Sequence, residues 1–128
     1  MIVCKSDAKK YKATISNDKD EITYEAPSEK GGKTSGFTPY EMLEAALAAD
    51  MNVAIRTYAD KTGFPLTNVT TYVSVDEAKT SDALLKYSIK LEGELNSQQK
   101  KLLIQSALQT PVRSLLAKRI SVLYTSRI

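Results

Sequence analysis

The chain has 128 residues, enough for one domain (1–128), and its 42% hydrophobic and 26% charged residues exclude wholesale disorder. It has no histidine and one cysteine, Cys4. An internal disulfide framework is therefore excluded, the commonest general base and metal ligand are missing, and no metal or cofactor is expected. No apolar run approaches the ~20 residues that cross a bilayer, and MIVCKSDAKK lacks the apolar core of a secretory signal, so a cytoplasmic protein with no membrane partner is expected.

The net charge is +3, but from residue 95 onward there are only cations: Lys100, Lys101, Arg113, Lys118, Arg119 and Arg127. They are spread over several predicted elements without interleaved aromatic or glycine-rich motifs. A solvated basic face is the expectation, not a nucleic-acid surface.

In chain order, residues 11–16 (YKATIS) alternate, 17–20 (NDKD) read as a turn, and 21–25 (EITYE) resume the alternation, which predicts a hairpin. Residues 26–36 hold a proline and three glycines and predict a loop. A long helix is predicted over 39–61, with Thr38 as cap, Pro39 at its first position and Glu41 and Glu44 near its positive end. Gly63 ends it, and Pro65 follows. Residues 68–75 (NVTTYVSV) and 84–95 (LLKYSIKLEGEL) alternate and predict an antiparallel pair joined through 76–83. Asn96 and Gln99 form a capping-box pattern for a second helix to about residue 109. Thr110-Pro111 breaks that helix and starts a short third one through Ala117, with Thr110 as its cap; residues 120–125 (ISVLYT) predict a last strand. The order β-β-α-β-β-α-α-β is that of an α+β domain with mostly antiparallel pairing.

On the long helix, Leu43, Ala46, Leu47, Val53, Ala54 and Thr57 recur at the spacing of one buried stripe, and Asp50 falls among them. Two readings stay open. Either Asp50 is a buried carboxylate that must be paired, hydrogen-bonded or protonated, or the helix turns so that Asp50 lies at the edge of the core. Other candidates read as structural. Cys4 is an apolar strand residue, Tyr72, Tyr87 and Tyr124 are packing residues, Arg56 and Asp60 make a surface pair, and Gly31-Gly32 lacks the spacing of a phosphate loop.

Residues 36–69 (GFTPYEMLEAALAADMNVAIRTYADKTGFPLTNV) resemble the central helix of the OsmC/Ohr family (osmotically inducible protein C / organic hydroperoxide resistance). Its members read like G-P-T-P-x-E-L-L-L-A-A-L-G-A-C, then a helix, a Gly-x-Pro-Leu turn and a strand. Residues 89–113 (IKLEGELNSQQKKLLIQSALQTPVR) resemble the second signature, a strand and helix ending in a Cys-Pro-Val-His-like element, and the loop with Gly31-Gly32 also fits. The resemblance implies an intertwined homodimer with sites at the subunit interface. It also implies an enzyme that reduces organic hydroperoxides with two cysteines, one attacking the peroxide and one resolving it as a disulfide.

Here the two cysteine positions read Asp50 and Thr110, and the frequent histidine reads Arg113. Neither replacement can form a sulfenic acid or a disulfide, so thiol peroxidase activity is not expected. The family's neighbourhood, carried over, puts Asp50 mostly buried against Thr110, Arg113 or both. Asp50, Thr110, Arg113 and Glu41 are the candidate binding residues. The favoured reading is a homodimeric, stress-related or small-molecule-binding protein with its ligand at the dimer interface. Its alternatives are a hydroperoxide-reducing enzyme, or other chemistry with Asp50 as acid or base, and a purely structural dimer.

Overall fold

A computed structural model describes residues 1–8, 10–33, 35–76 and 83–126. They form an α+β structure with two antiparallel sheets and three α-helices, and the chain divides into two units, Met1–Leu43 and Glu44–Ile128. No helix among the described residues is long and apolar enough to cross a membrane.

In the first unit, β1 (Val3–Ser6), β2 (Lys12–Ser16) and β3 (Glu21–Glu25) form a sheet in that order. The predicted hairpin is β2–β3. The Asn17 side chain closes its turn by accepting from the N–H groups of Lys19 and Asp20 at 2.7 and 2.8 Å, an Asx turn. Strand β1 is an addition to the predicted order; it pairs Cys4 with Ile15, and the cysteine is exposed. Among this unit's described residues only Ala26 is buried.

Helix α1 (Pro39–Thr62) starts where Thr38 and Glu41 close a capping box: Thr38 N–H donates to the Glu41 carboxylate at 2.7 Å and Glu41 N–H to Thr38 Oγ1 at 3.2 Å. It ends on Gly63, in the left-handed region at φ 68°. Phe64 N–H reaches back to the Ala59 carbonyl at 3.0 Å, and the Tyr58 and Phe64 rings meet edge-on at 6.0 Å. That is a Schellman closure with its apolar contact, as the glycine predicts.

The second unit holds the core. Strands β4 (Leu66–Asp76) and β5 (Leu84–Gly93) pair antiparallel, with Val69 opposite Leu91 and Val73 opposite Tyr87. Residues 77–82 of the predicted connection lie outside the described residues. Helix α2 (Ser97–Ser106) opens with the predicted Asn96–Gln99 capping box, passes into a 3₁₀ turn (Ala107–Gln109), and is followed by α3 (Pro111–Leu116).

Leu47, Met51, Ile55 and Ala59 of α1 pack with Leu66, Val69, Leu103 and Ala107, and Val73, Leu85, Ile89, Val112 and Leu116 close around them. Burying each large side chain contributes roughly 1.5–3 kcal/mol. The buried stripe is thus rotated from the predicted one. Its members recur every four residues, while Leu43 and Val53 are 38% and 65% exposed.

Polar side chains of α1 also serve the backbone of β4. Glu44 accepts from Val75 N–H at 2.7 Å, Asn52 donates to the Val69 carbonyl at 3.0 Å, and Arg56 donates to the Leu66 and Thr67 carbonyls at 2.8 and 3.2 Å. The helix thus supplies side-chain partners to backbone groups along the strand. The predicted Arg56–Asp60 pair is replaced by these bonds.

The predicted strand over 120–125 does not form: Val122, Leu123 and Tyr124 are 93, 84 and 94% exposed. Its alternation is real, but a strand requires a ladder partner, and none of this chain's described strands pairs with it. The observed order is therefore β-β-β-α-β-β-α-α. Tyr124 and Tyr72, the latter 57% exposed, are surface residues rather than packing residues.

Candidate functional site

The 110–113 segment is built by proline. Pro111 takes the first position of α3, where its missing N–H costs nothing and its fixed φ suits the helix. Val112 and Arg113 then carry the first N–H groups without intrahelical acceptors, because Ser114 N–H is the first to bond back, to the Thr110 carbonyl at 2.9 Å. Thr110 has the extended backbone of a cap, φ −80° and ψ 150°, yet its side chain makes no capping bond. The residue is 2% exposed, and its hydroxyl has no partner among the described residues. The expected capping by Thr110 is thus not made.

Asp50 makes it instead. Its Oδ2 accepts from Val112 N–H at 2.8 Å, across 62 positions of sequence. The carboxylate therefore meets the predicted segment, but through a backbone donor rather than the Thr110 hydroxyl or the Arg113 guanidinium. Asp50 is half-buried, at the edge of the core, one residue from fully buried Met51. A carboxylate suits the first turn of a helix, where it accepts from an otherwise unpartnered backbone N–H.

Arg113, expected beside Asp50, donates instead to the Leu108 carbonyl at 2.6 Å and is half-buried. Among the described residues no carboxylate pairs with it. Glu41 belongs to the first unit, in the capping box of α1. The Thr38 N–H and hydroxyl hold its carboxyl below the usual glutamate range. Among the described residues no group of three or more His, Cys, Asp or Glu side chains could hold a metal ion.

Two features escaped the sequence reading. One is the Val112 N–H, which Pro111 could have exposed, since a helix opening on proline leaves its next N–H groups seeking an acceptor. The other is an open cavity of about 310 Å³ lined by Leu47, Met51, Leu85, Tyr87, Arg113 and Leu116 among others. Sequence patterning does not reveal it, because its walls come from three elements far apart in the chain.

Comparison with known proteins places this architecture. No curated protein matches the chain. An OsmC-like protein from Mycoplasma pneumoniae is 16% identical with a TM-score of 0.75, over 91% of this chain and 85% of that one. An osmotic stress induced and detoxification response protein from Psychrobacter arcticus 273-4 is 21% identical with a TM-score of 0.74, over 89% and 85%. An organic hydroperoxide resistance protein from Vibrio cholerae O1 biovar eltor, with captopril in one of its active sites, is 19% identical with a TM-score of 0.62, over 91% and 84%. The sequence profile described as OsmC-like protein matches residues 31–124, and the chain belongs to the OsmC-like family.

Proposed function

We propose that this family member is a homodimeric, stress-related binding protein without thiol peroxidase activity, and that the region between Asp50 and Arg113 takes a small molecule. The observation that carries the reading is the Asp50–Val112 bond. A carboxylate in a capping bond occupies the place where, by resemblance, relatives carry a nucleophilic cysteine, and it can neither be oxidised by a peroxide nor form a disulfide. The chain's single thiol, Cys4, is exposed on β1 and matches neither signature position.

The dimer is supported by apolar surface that one copy leaves open: Val53 on α1, the 122–124 segment, and a three-stranded sheet in a unit whose described residues include only one buried side chain. Small-molecule binding is supported by the cavity beside α3 and by the captopril held in the Vibrio relative. The descriptions of the relatives as detoxification and hydroperoxide resistance proteins support a role in stress.

The test is consumption of an organic hydroperoxide with a dithiol reductant. Wild type should be no faster than a control protein bearing one exposed thiol. Rapid turnover that Cys4→Ser abolishes would overturn the reading and make Cys4 the nucleophile. Sedimentation at micromolar concentration should show a dimer; a monomer would remove the homodimer.

A further inference from the structure

We propose that the cavity beside α3 binds a small monocarboxylate with an apolar body, its carboxylate on Arg113. This rests on the reading above that the region is a ligand site, and it adds the class of ligand.

The walls define the body. Leu47 and Met51 come from the rigid core stripe of α1, Leu85 and Tyr87 from β5, and Leu116 from α3. The cavity's volume of about 310 Å³ is at the low end of the ~300–1,000 Å³ typical of small-molecule sites, so the ligand is small. The cavity is open to solvent.

Arg113 defines the head group. It is half-buried and lines this otherwise mainly apolar cavity. One guanidinium nitrogen is committed to the Leu108 carbonyl, leaving further N–H donors of the fork, and among the described residues no carboxylate pairs with it. A partly desolvated cation gains most from an anion, and the planar fork matches the two oxygens of a carboxylate.

Charge narrows the choice further. Among the described lining residues Arg113 is the one cation, and the Asp50 carboxylate is fixed at the neighbouring Val112 N–H. A dianion such as a phosphate ester would meet a single positive charge and a nearby negative one. A monoanion is matched by Arg113 alone. Acetate would have the head without the body, and an alkyl alcohol the body without the head.

Octanoate, 1-octanol and acetate, each below its aggregation limit, separate these contributions by calorimetry and by NMR of the Arg113 side-chain Nε–H and the Met51 methyl. The full chain should bind octanoate saturably, with both signals shifting, octanol at least tenfold more weakly, and acetate without saturation. Arg113→Gln should weaken octanoate at least tenfold and leave octanol unchanged. If octanol binds as tightly as octanoate, or octanoate binds without moving the Arg113 signal, the carboxylate assignment falls while the ligand-site reading stands. If neither octanoate nor octanol binds, both fall. The NMR readout on wild type decides the matter even if Arg113→Gln does not fold.

Discussion

Removing the Asp50 carboxylate tests whether it holds the start of α3. Its bond to Val112 N–H is 2.8 Å long and charge-assisted. Hydrogen bonds to charged groups contribute ~1.5–3 kcal/mol, and loss of a capping side chain costs ~0.5–2 kcal/mol. Because Asp50 is half-buried and water can partly replace it, the lower part of that range applies. Asp50→Ala should cost about 1–2 kcal/mol, lowering Tm by roughly 3–8 °C for a chain of this size at fixed protein concentration. Asp50→Asn keeps an acceptor of equal capping rank and should cost less than about 0.5 kcal/mol. The local readout is amide hydrogen exchange. Val112 should lose protection in Asp50→Ala more than Leu103, deep in the core, does. Unchanged exchange at Val112 together with an unchanged Tm would refute the capping role.

Thr110→Val should be neutral or raise stability by up to about 1 kcal/mol in urea unfolding, because it removes a buried hydroxyl that has no partner among the described residues. A loss above that size would mean the hydroxyl is bonded. Gly63→Ala should cost about 1–2 kcal/mol through its left-handed φ of 68° alone, since a Cβ there meets nothing within 4 Å; a Tm equal to wild type would contradict the Schellman closure. The Glu41 carboxyl is held low in the folded state, so its contribution is present above the ordinary glutamate pKa and lost as pH falls through the folded value. The Tm gap between wild type and Glu41→Gln should therefore be present at neutral pH and close as the pH falls below the ordinary glutamate range and through the folded value; a gap independent of pH would contradict it.

Local punctuation made much of the fold legible. Thr38, Pro39 and Gly63 bound α1, Asn96 and Gln99 open α2, and Pro111 opens α3, because each acts on backbone groups within a few residues of itself. The sidedness of α1 was less legible. Leu43, Ala46 and Val53 extend apolar character around the helix, so a repeat of Leu47, Met51, Ile55 and Ala59 competes with a second stripe of similar quality. Packing, not periodicity, chooses between them. The 120–125 segment has strand character but lacks a strand neighbour, and β propensity does not supply one. The site was half legible. Asp50 was conspicuous as a charge among apolar residues, but its partner is a backbone N–H, and backbone donors look alike at every position except beside proline.

The polar row Glu44, Asn52 and Arg56 has a consequence for solubility. By occupying backbone groups along β4, these side chains deny them to any extended segment from another chain that would pair there. Replacing them with alanine would remove little apolar contact from the core, and the loss would surface as turbidity and fibril formation on heating, growing with protein concentration. Helix α1 thus guards the strand beside it against misassembly, a role carried by its charged and amide side chains rather than by its buried leucine and isoleucine.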